Sequence, residues 1–314
     1  MEMELSGRYA DQRDLASLEV HMLREAQTVN RRILHSVCRH YRGDRGEKLL
    51  NPVGMSLNLL GVEYAFIDVD EHSYINLETC VEATHVKVSR HILASVASSI
   101  SCLTEDEIHQ GVMCLDLGGN ATGFSIFTEG GLLDTGLIRV GSHHITKDIA
   151  HGLSITIEDA ERLKMMNGNA MAFSDYEADH DSEMLEGRPA GGGALKIALK
   201  RSHLNLILRA RVDELLDLVE AAVGAKKFGT EISSIVLTGG GARLNGLELL
   251  VQARFGIPVR LGKPEVIRGM PEILNGPSGC VLAGMLLIAA DNRFAQLSGL
   301  GLRSNDSWWS RFRA

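Results

Sequence analysis

Gly111-Val-Met-Cys-Leu-Asp-Leu-Gly-Gly-Asn-Ala-Thr122 is the stretch whose reading decides the fold. Its first seven residues are a near-continuous apolar run with one carboxylate, the pattern of a strand covered on both faces. Gly118-Gly119 ends the run. A second unit of the same design follows later: Ser234-Ile-Val-Leu-Thr238 runs into Gly239-Gly-Gly241 and then Ala242-Arg-Leu-Asn-Gly246. Glycine lets backbone N–H groups approach an anion with no Cβ in the way. Either loop alone is a turn that hairpins use routinely. The information lies in the order: strand, glycine loop, hairpin, helices, then strand, triple glycine, helix. Neither loop is a Walker A motif, because no Gly-Lys-Ser/Thr follows, and neither fits G-x-G-x-x-G.

Working outward, Phe124 to Thr128 resumes a strand, Glu129-Gly-Gly131 makes a tight hairpin and Leu132 to Val140 gives a third strand. Helices are expected over Ile145–Gly152 and over Ile157–Asn167, the latter opened by Thr156 with acidic Glu158 and Asp159 in its first turn. Ser174 to Gly193 is acidic and then Gly/Pro-rich, which reads as a surface loop. Leu195 to Gly224 is a long helical region, with Leu204, Leu208, Val212, Leu215 and Val219 at helical spacing. Leu244–Phe255 reads as a helix, Val259–Leu261 as a short strand and Val281–Ala290 as a buried helix, too short to span a bilayer. On the N-terminal side a solvated helix is expected over 12–32 and a loop over Tyr41–Lys48. A turn follows at Asn51-Pro-Val-Gly54, then a strand over Val62–Val69, a helix over Ser73–His85, a strand over Val86–Ile92 and a helix over Leu93–Asp106.

Composition narrows the function classes. The 314 residues suffice for one large domain or two to three small ones. With 32 basic and 40 acidic residues the net charge is -8, which argues against a nucleic-acid binder that needs clustered Lys and Arg. Cys38, Cys80, Cys102, Cys114 and Cys280 contain no C-x-x-C and are odd in number, so neither a zinc site nor a disulfide framework is expected, and a reducing compartment is. The acidic start, Met1-Glu-Met-Glu-Leu5, lacks the pattern of a signal peptide.

With these units in place the chain resembles the actin-like superfamily. Asp116 to Thr122 resembles its second phosphate loop, and Thr238 to Gly246 its adenosine loop. Within it the chain resembles the FtsA family of bacterial division proteins. The resemblance rests on Asn51-Pro-Val-Gly-Met55, Ser101-Cys-Leu-Thr-Glu-Asp-Glu107, Thr146-Lys-Asp-Ile-Ala150, Asp159-Ala-Glu-Arg-Leu-Lys164 and Val236-Leu-Thr-Gly-Gly-Gly-Ala242, which occur in the family's order over residues 30–290. It implies an α/β, actin-like (ASKHA, RNase H-like) fold that lacks the first half of its N-terminal subdomain. The implied parts are a partial small subdomain over 1–84, a remnant of the first actin-like subdomain over 85–110, a second lobe over 111–290, and a linker with a membrane helix over 291–314.

The same resemblance implies a nucleotide site at Asp116, Gly118, Gly119, Thr122, Glu161, Lys164, Gly239, Gly240, Gly241 and Arg243, with ATP and Mg2+ as cofactor. Glu161 and Lys164 stand at i and i+3 and share a helix face, where an ordinary surface ion pair is the bland alternative. The sequence departs from the family where Asn120, Ala121 and Gly123 replace Gly, Thr and Asp, removing a hydroxyl donor and a carboxylate. Nothing before Asn51 resembles the family's first phosphate loop. Weak ATP binding and at most slow hydrolysis are therefore expected, since phosphoryl transfer depends on positioning and metal electrostatics.

For partners the resemblance implies the C-terminal peptide of the tubulin-like FtsZ, bound through Arg211 and Glu214, together with further copies of the chain, other division proteins and the cytoplasmic face of the inner membrane. Trp308, Trp309 and Phe312 fall within about 100° of a helical wheel. Arg311 and Arg313 flank them, a composition suited to a lipid headgroup boundary and equally to an aromatic latch folding back on the protein. The family's membrane-targeting tail favours the first reading. Two rival readings are an ATP-hydrolysing kinase relative, which would need a complete first phosphate loop, and the pilus-assembly member of the superfamily, which needs no membrane helix of its own. His144, Asp148 and His151 share a helix face but read as structural rather than as a metal site.

Overall fold

The computed structural model describes residues 1–49, 51–171, 184–191, 196–264 and 267–290, with the side chain of Lys226 left aside. The chain divides into two compact units. The first comprises Met1–Leu93, Glu129–Asp134 and the segment from Met285; the second comprises Ala94–Thr128 and Thr135–Gly284.

The first unit is built on an antiparallel sheet of β1 (Glu2–Glu4), β2 (Arg31–Arg42), β3 (Lys48–Leu49) and β4 (Leu59–Asp70), in the order β1-β4-β2-β3. Helix α1 (Gln12–Ala26) opens with a capping box in which Asp11 accepts from the Asp14 amide and Asp14 accepts from the Asp11 amide, and Arg8 forks the Asp14 carboxylate. Leu5, Leu18, Cys38, Tyr41, Leu57, Leu60 and Val62 form the core. Helix α1 is shorter than expected, and β2 was not foreseen at all. Arg31-Arg-Ile-Leu-His-Ser-Val-Cys-Arg-His-Tyr-Arg42 carries too many charges to read as a strand. Those charges are satisfied locally: Arg31 pairs with Asp68, Arg32 with Glu71, and Arg39 and Arg42 both with Glu63. Such opposite-charge pairs each contribute a few tenths of a kcal/mol, up to about 1.

His35 is the polar residue of β2 that goes inside. It is 5% exposed, its Nε2 accepts from the Leu93 amide at 3.2 Å, and burial, aided by the Arg90 charge, pushes its pKa down to about 4. Helix α2 (Glu71–Glu82) follows with Asp70 as N-cap. The strand expected over 86–92 has no ladder partner among the described residues, and an extended segment becomes a strand only through such a partner.

The second unit holds a five-stranded sheet of β5 (Val112–Leu117), β6 (Thr122–Thr128), β7 (Gly131–Ile138), β10 (Ser234–Thr238) and β11 (Val259–Leu261), in the order β11-β10-β5-β6-β7. The first three in that order are parallel, and β5 pairs antiparallel with β6 in register Leu117↔Thr122. Every residue of β5 is buried, which explains its unbroken apolar run. Helix α3 (Ala94–Cys102) is buried from Ser95 to Cys102 and rich in serine. Ser98 and Ser99 donate back to Ser95 O, and Ser101 to Ser98 O and Cys280 O, so the hydroxyls need no water. The single helix expected over 93–106 is broken by Leu103-Thr104, where Thr104 caps α4 (Glu105–Gln110) in a box with Glu107.

Helices α5 (Ser142–Gly152) and α6 (Ile157–Asn167) lie where expected, α6 capped by Thr156. Part of the expected loop is instead a hairpin of β8 (Met184–Gly187) and β9 (Ile197–Lys200), so the long helix α7 begins only at Arg201 and runs to Val223. Asp159 anchors this segment to α6. It accepts from the Arg188 amide at 2.7 Å and from Arg188 Nε at 3.0 Å, and these bonds, together with Arg162, hold its pKa down to about 2. Helix α8 (Leu247–Phe255) starts three residues later than expected, after a short 3-10 turn at Gly240–Arg243. Helix α9 (Cys280–Ala290) forms as expected but is not buried all round. Leu282, Met285 and Leu286 are exposed, while Gly284 lies so close to Ala97 that an added Cβ would sit 1.8 Å from its carbonyl oxygen.

Candidate nucleotide site

The site is a consequence of strand order. Parallel neighbours β5 and β10 pair Asp116 with Thr238, so both glycine loops leave the sheet side by side at the carboxyl ends of their strands. In open α/β sheets that edge is where ligands bind. After β5 the Gly118–Ala121 turn closes with the Gly118 amide on Ala121 O at 3.0 Å. Asn120 has no left-handed backbone, so a side chain is accommodated there without strain. After β10, Gly239 takes φ +81, and a Cβ on it would lie 2.5 Å from both Asp116 Oδ1 and Leu117 O. Gly241 would meet Leu117 at 3.0 Å, whereas Gly240 faces open space with nothing within 4 Å. The two loops are thus in direct contact, and Gly240 leaves a cradle that a side chain would fill.

A third segment joins them. Gly141, the N-cap of α5, sits so close that a Cβ would be 2.6 Å from the carbonyl oxygens of both Gly118 and Gly119. The Ser142 amide donates to Gly118 O at 2.9 Å and the His143 amide to Gly119 O at 2.8 Å. Sequence reasoning missed Gly141, Ser142 and His143. The available signal was Gly141, between the strand expected to end at Val140 and the helix expected from Ile145.

Asp116 is 8% exposed and has no hydrogen-bond or ion-pair partner among the described residues; burial alone raises its pKa to about 6. An unpartnered, partly reachable carboxylate fits a hard cation such as Mg2+, held directly or through water. Thr122 is fully buried with its hydroxyl donating to Val140 O at 2.8 Å, so it ties β6 to the start of α5. At Gly123 a Cβ would press on Ser95 Cβ of α3 at 3.0 Å.

Glu161 and Lys164 reach the same place from α6. Lys164 is 7% exposed and its Nζ donates to Glu161 Oε2 at 2.7 Å, Thr146 Oγ1 at 2.8 Å and Ser142 O at 3.2 Å. Burial pulls Glu161 upward, but Lys164 and the Thr146 hydroxyl outweigh it and hold the carboxyl below its ordinary value. The pair is therefore more than a surface contact, since it grips the first turn of α5. Arg243 is exposed, and its Nη2 lies 2.6 Å from where a Cβ on Gly276 would be.

Arg211 and Glu214 stand apart from the loops, on α7. Arg211 Nε bonds Asp148 of α5 and its Nη1 bonds Glu214, which leaves its guanidinium fork engaged by two carboxylates. Asp148 is thereby accounted for, and no cluster of three or more metal-ligating side chains occurs among the described residues. Trp308, Trp309, Arg311, Phe312 and Arg313 lie outside the described residues.

A family model described as cell division protein FtsA matches residues 113–284. The chain is 32% identical over 286 residues to the cell division protein FtsA of Agrobacterium fabrum, a match that covers 91% of this chain and 64% of that relative. Among solved structures, MreB5 of Spiroplasma citri bound to ADP superposes with a TM-score of 0.56 at 16% identity, over 74% of this chain and 69% of that one. The PilM–PilN type IV pilus biogenesis complex superposes at 0.58 and 13% identity, over 91% and 75%. The fold is the actin-like one. The chain spans about two thirds, 64%, of the length of the Agrobacterium relative.

Proposed function

Because the chain belongs to the FtsA family of cell division proteins, we propose that it serves bacterial division as a nucleotide-binding scaffold that links FtsZ filaments to the cytoplasmic face of the inner membrane. The observation that carries the nucleotide part is the contact between the two glycine loops, with Gly240 open beside them and the N-terminus of α5 closing the third side. Glycines without a Cβ at the carboxyl ends of neighbouring parallel strands let backbone N–H groups approach an anion. In this reading Gly118, Gly119 and Gly239 to Gly241 give the polyphosphate room. Asp116 holds Mg2+, which when bound neutralises phosphate charge. Glu161 and Lys164 orient the nucleoside end, and Arg243 covers it. Thr122 acts by holding the loop rather than by touching ligand.

Turnover is slow in this account. Asp116 alone of the loop carboxylates faces the cradle from β5, and Gly123 offers no second one to orient a water. Arg211 with Glu214 receives the C-terminal peptide of FtsZ, a carboxylate of which competes with Asp148 for the guanidinium fork. Assembly with further copies and with later division proteins gives the weak tail its avidity, since linked copies raise the effective concentration at a surface. No helix among the described residues is long and apolar enough to cross a membrane. The aromatic tail is the proposed anchor.

The test is a pelleting assay with anionic lipid vesicles, FtsZ filaments and the full chain. FtsZ is expected to sediment with vesicles only when the chain is present. Trp308→Glu with Trp309→Glu is expected to leave FtsZ and the chain together in the supernatant, and R211E to leave the chain on vesicles without FtsZ. Pelleting that is indifferent to all three substitutions would rule out the scaffold reading.

A further inference from the structure

Two adjacent histidines open α5, and they are used differently. His144 turns back on its own helix, where its Nδ1 accepts from the Gly141 amide at 3.1 Å. His143 is exposed, and its imidazole has no hydrogen-bond partner among the described residues. The Cδ2–Nε2 side of its ring lies beside the first glycine loop: a Cβ on Gly119 would sit 3.1 Å from Cδ2 and 3.4 Å from Nε2. The His143 amide, bonded to Gly119 O, pins its backbone to that loop, and the neighbouring Ser142 amide does the same on Gly118 O. The backbone of His143 is therefore held at the loop, and its ring starts from there.

His143 is also near enough to Glu161 to help lower that carboxyl, after the larger effects of burial, Lys164 and Thr146. Ala121, in the same turn, has no hydroxyl to offer an anion. A ring nitrogen at that position supplies a side-chain donor besides the amide of Asn120.

We propose that His143 is a phosphate-binding residue, its imidazole donating a hydrogen bond to the polyphosphate of a nucleoside di- or triphosphate seated beside Gly119. The proposal rests on the glycine loops being a nucleotide cradle, and goes beyond it by naming a side chain that discriminates nucleotide from nucleoside. The shape of Gly119 fits this role. Any side chain there would displace the ring, so the glycine serves both the approach of phosphate and the seating of His143.

The experiment is titration calorimetry of the full chain with ADP and Mg2+, and separately with adenosine. Replacing His143 with Ala (H143A) is expected to weaken ADP about 10-fold, the loss of one hydrogen bond to a charged group. Adenosine affinity is expected to change by less than about 2-fold, within the ordinary scatter of a surface substitution. H143Q, which keeps a donor, is expected to recover part of the ADP affinity. His143 is exposed, so an unchanged melting temperature checks that the variants fold. Unchanged ADP affinity in H143A overturns the proposal and leaves the nucleotide reading standing. Equal losses for ADP and adenosine also overturn it, because they mark a structural role. Failure of the unaltered chain to bind ADP overturns both.

Discussion

Replacing Gly239 with valine (G239V) is expected to raise the dissociation constant for ADP by at least about 100-fold, the equivalent of two charge-assisted hydrogen bonds. Gly239 takes φ +81, where a residue with a Cβ is disfavoured by roughly 1–2 kcal/mol and a β-branched one by more. The larger effect is steric. The new Cβ would sit 2.5 Å from Asp116 Oδ1 and from Leu117 O, and the Leu117 carbonyl, backbone of the fully buried β5, cannot retreat. The two loops must part, and the site with them. Gly240→Ala is the informative contrast. Gly240 has nothing within 4 Å and no left-handed backbone, so the substitution leaves the fold alone and loses affinity only by obstructing a ligand. Calorimetry with ADP, alongside thermal melts, separates the two effects. A G239V protein that binds ADP within about 3-fold of the unaltered chain, under half a decade on the affinity scale, would mean that the contacting loops are not the cradle.

The second large effect is expected in acid. His35 is buried and neutral, with a folded pKa of about 4 against an ordinary value of 6.5. Its unfolded form takes up a proton as pH falls through 6.5, while the folded form resists until pH 4. Stability is therefore lost as pH falls across that window, by about 3 kcal/mol from His35 alone. Asp116 works in the opposite sense. Its carboxyl is raised to about 6 from 3.8, so the folded form takes up the proton first and gains stability as pH falls from 6 toward 3.8. The overall acid profile partly cancels. The cancellation is removed by comparison with H35Q, since Gln can still accept from the Leu93 amide. The stability of the unaltered chain minus that of H35Q is expected to fall by about 3 kcal/mol between pH 7 and pH 4, read from urea midpoints. Asp159 lies outside this window, because its stabilisation is lost only below pH 3.8, toward its folded value of about 2. A difference that stays flat with pH would show that His35 does not titrate as a buried base.

What the sequence disclosed and what it hid have physical reasons. Strands β5 and β10 were legible because parallel strands covered on both faces must be apolar throughout. Helix α6 was legible to its ends because Thr156 caps it, and α7 because Leu204, Leu208, Val212, Leu215 and Val219 all face the core. Strand β2 was hidden because its arginines are neutralised by Asp68 and Glu63 of β4 and Glu71 of α2, partners far away in sequence. The β8–β9 hairpin was hidden by its acidic and glycine-rich surroundings. At the site, the two glycine loops were readable as turns ending apolar strands, and Asp116 was named through the family resemblance. The role of Gly141 and the packing of His143 on Gly119 were not, because a strand-to-helix turn shows its closeness to another loop only once folded. The Lys164 network was half legible: the i,i+3 pair could be read, but its reach to Thr146 and Ser142 could not.

The central claim is that the contacting glycine loops bind nucleotide and turn it over slowly. It is tested most directly by titrating the full chain with ATP and Mg2+ in a calorimeter while phosphate release is followed in the same sample. The account predicts a dissociation constant on the order of micromolar, about -8 kcal/mol, with turnover well below the roughly 1–100 per second of kinases. No heat of binding at millimolar ATP, or turnover in the kinase range, would contradict it.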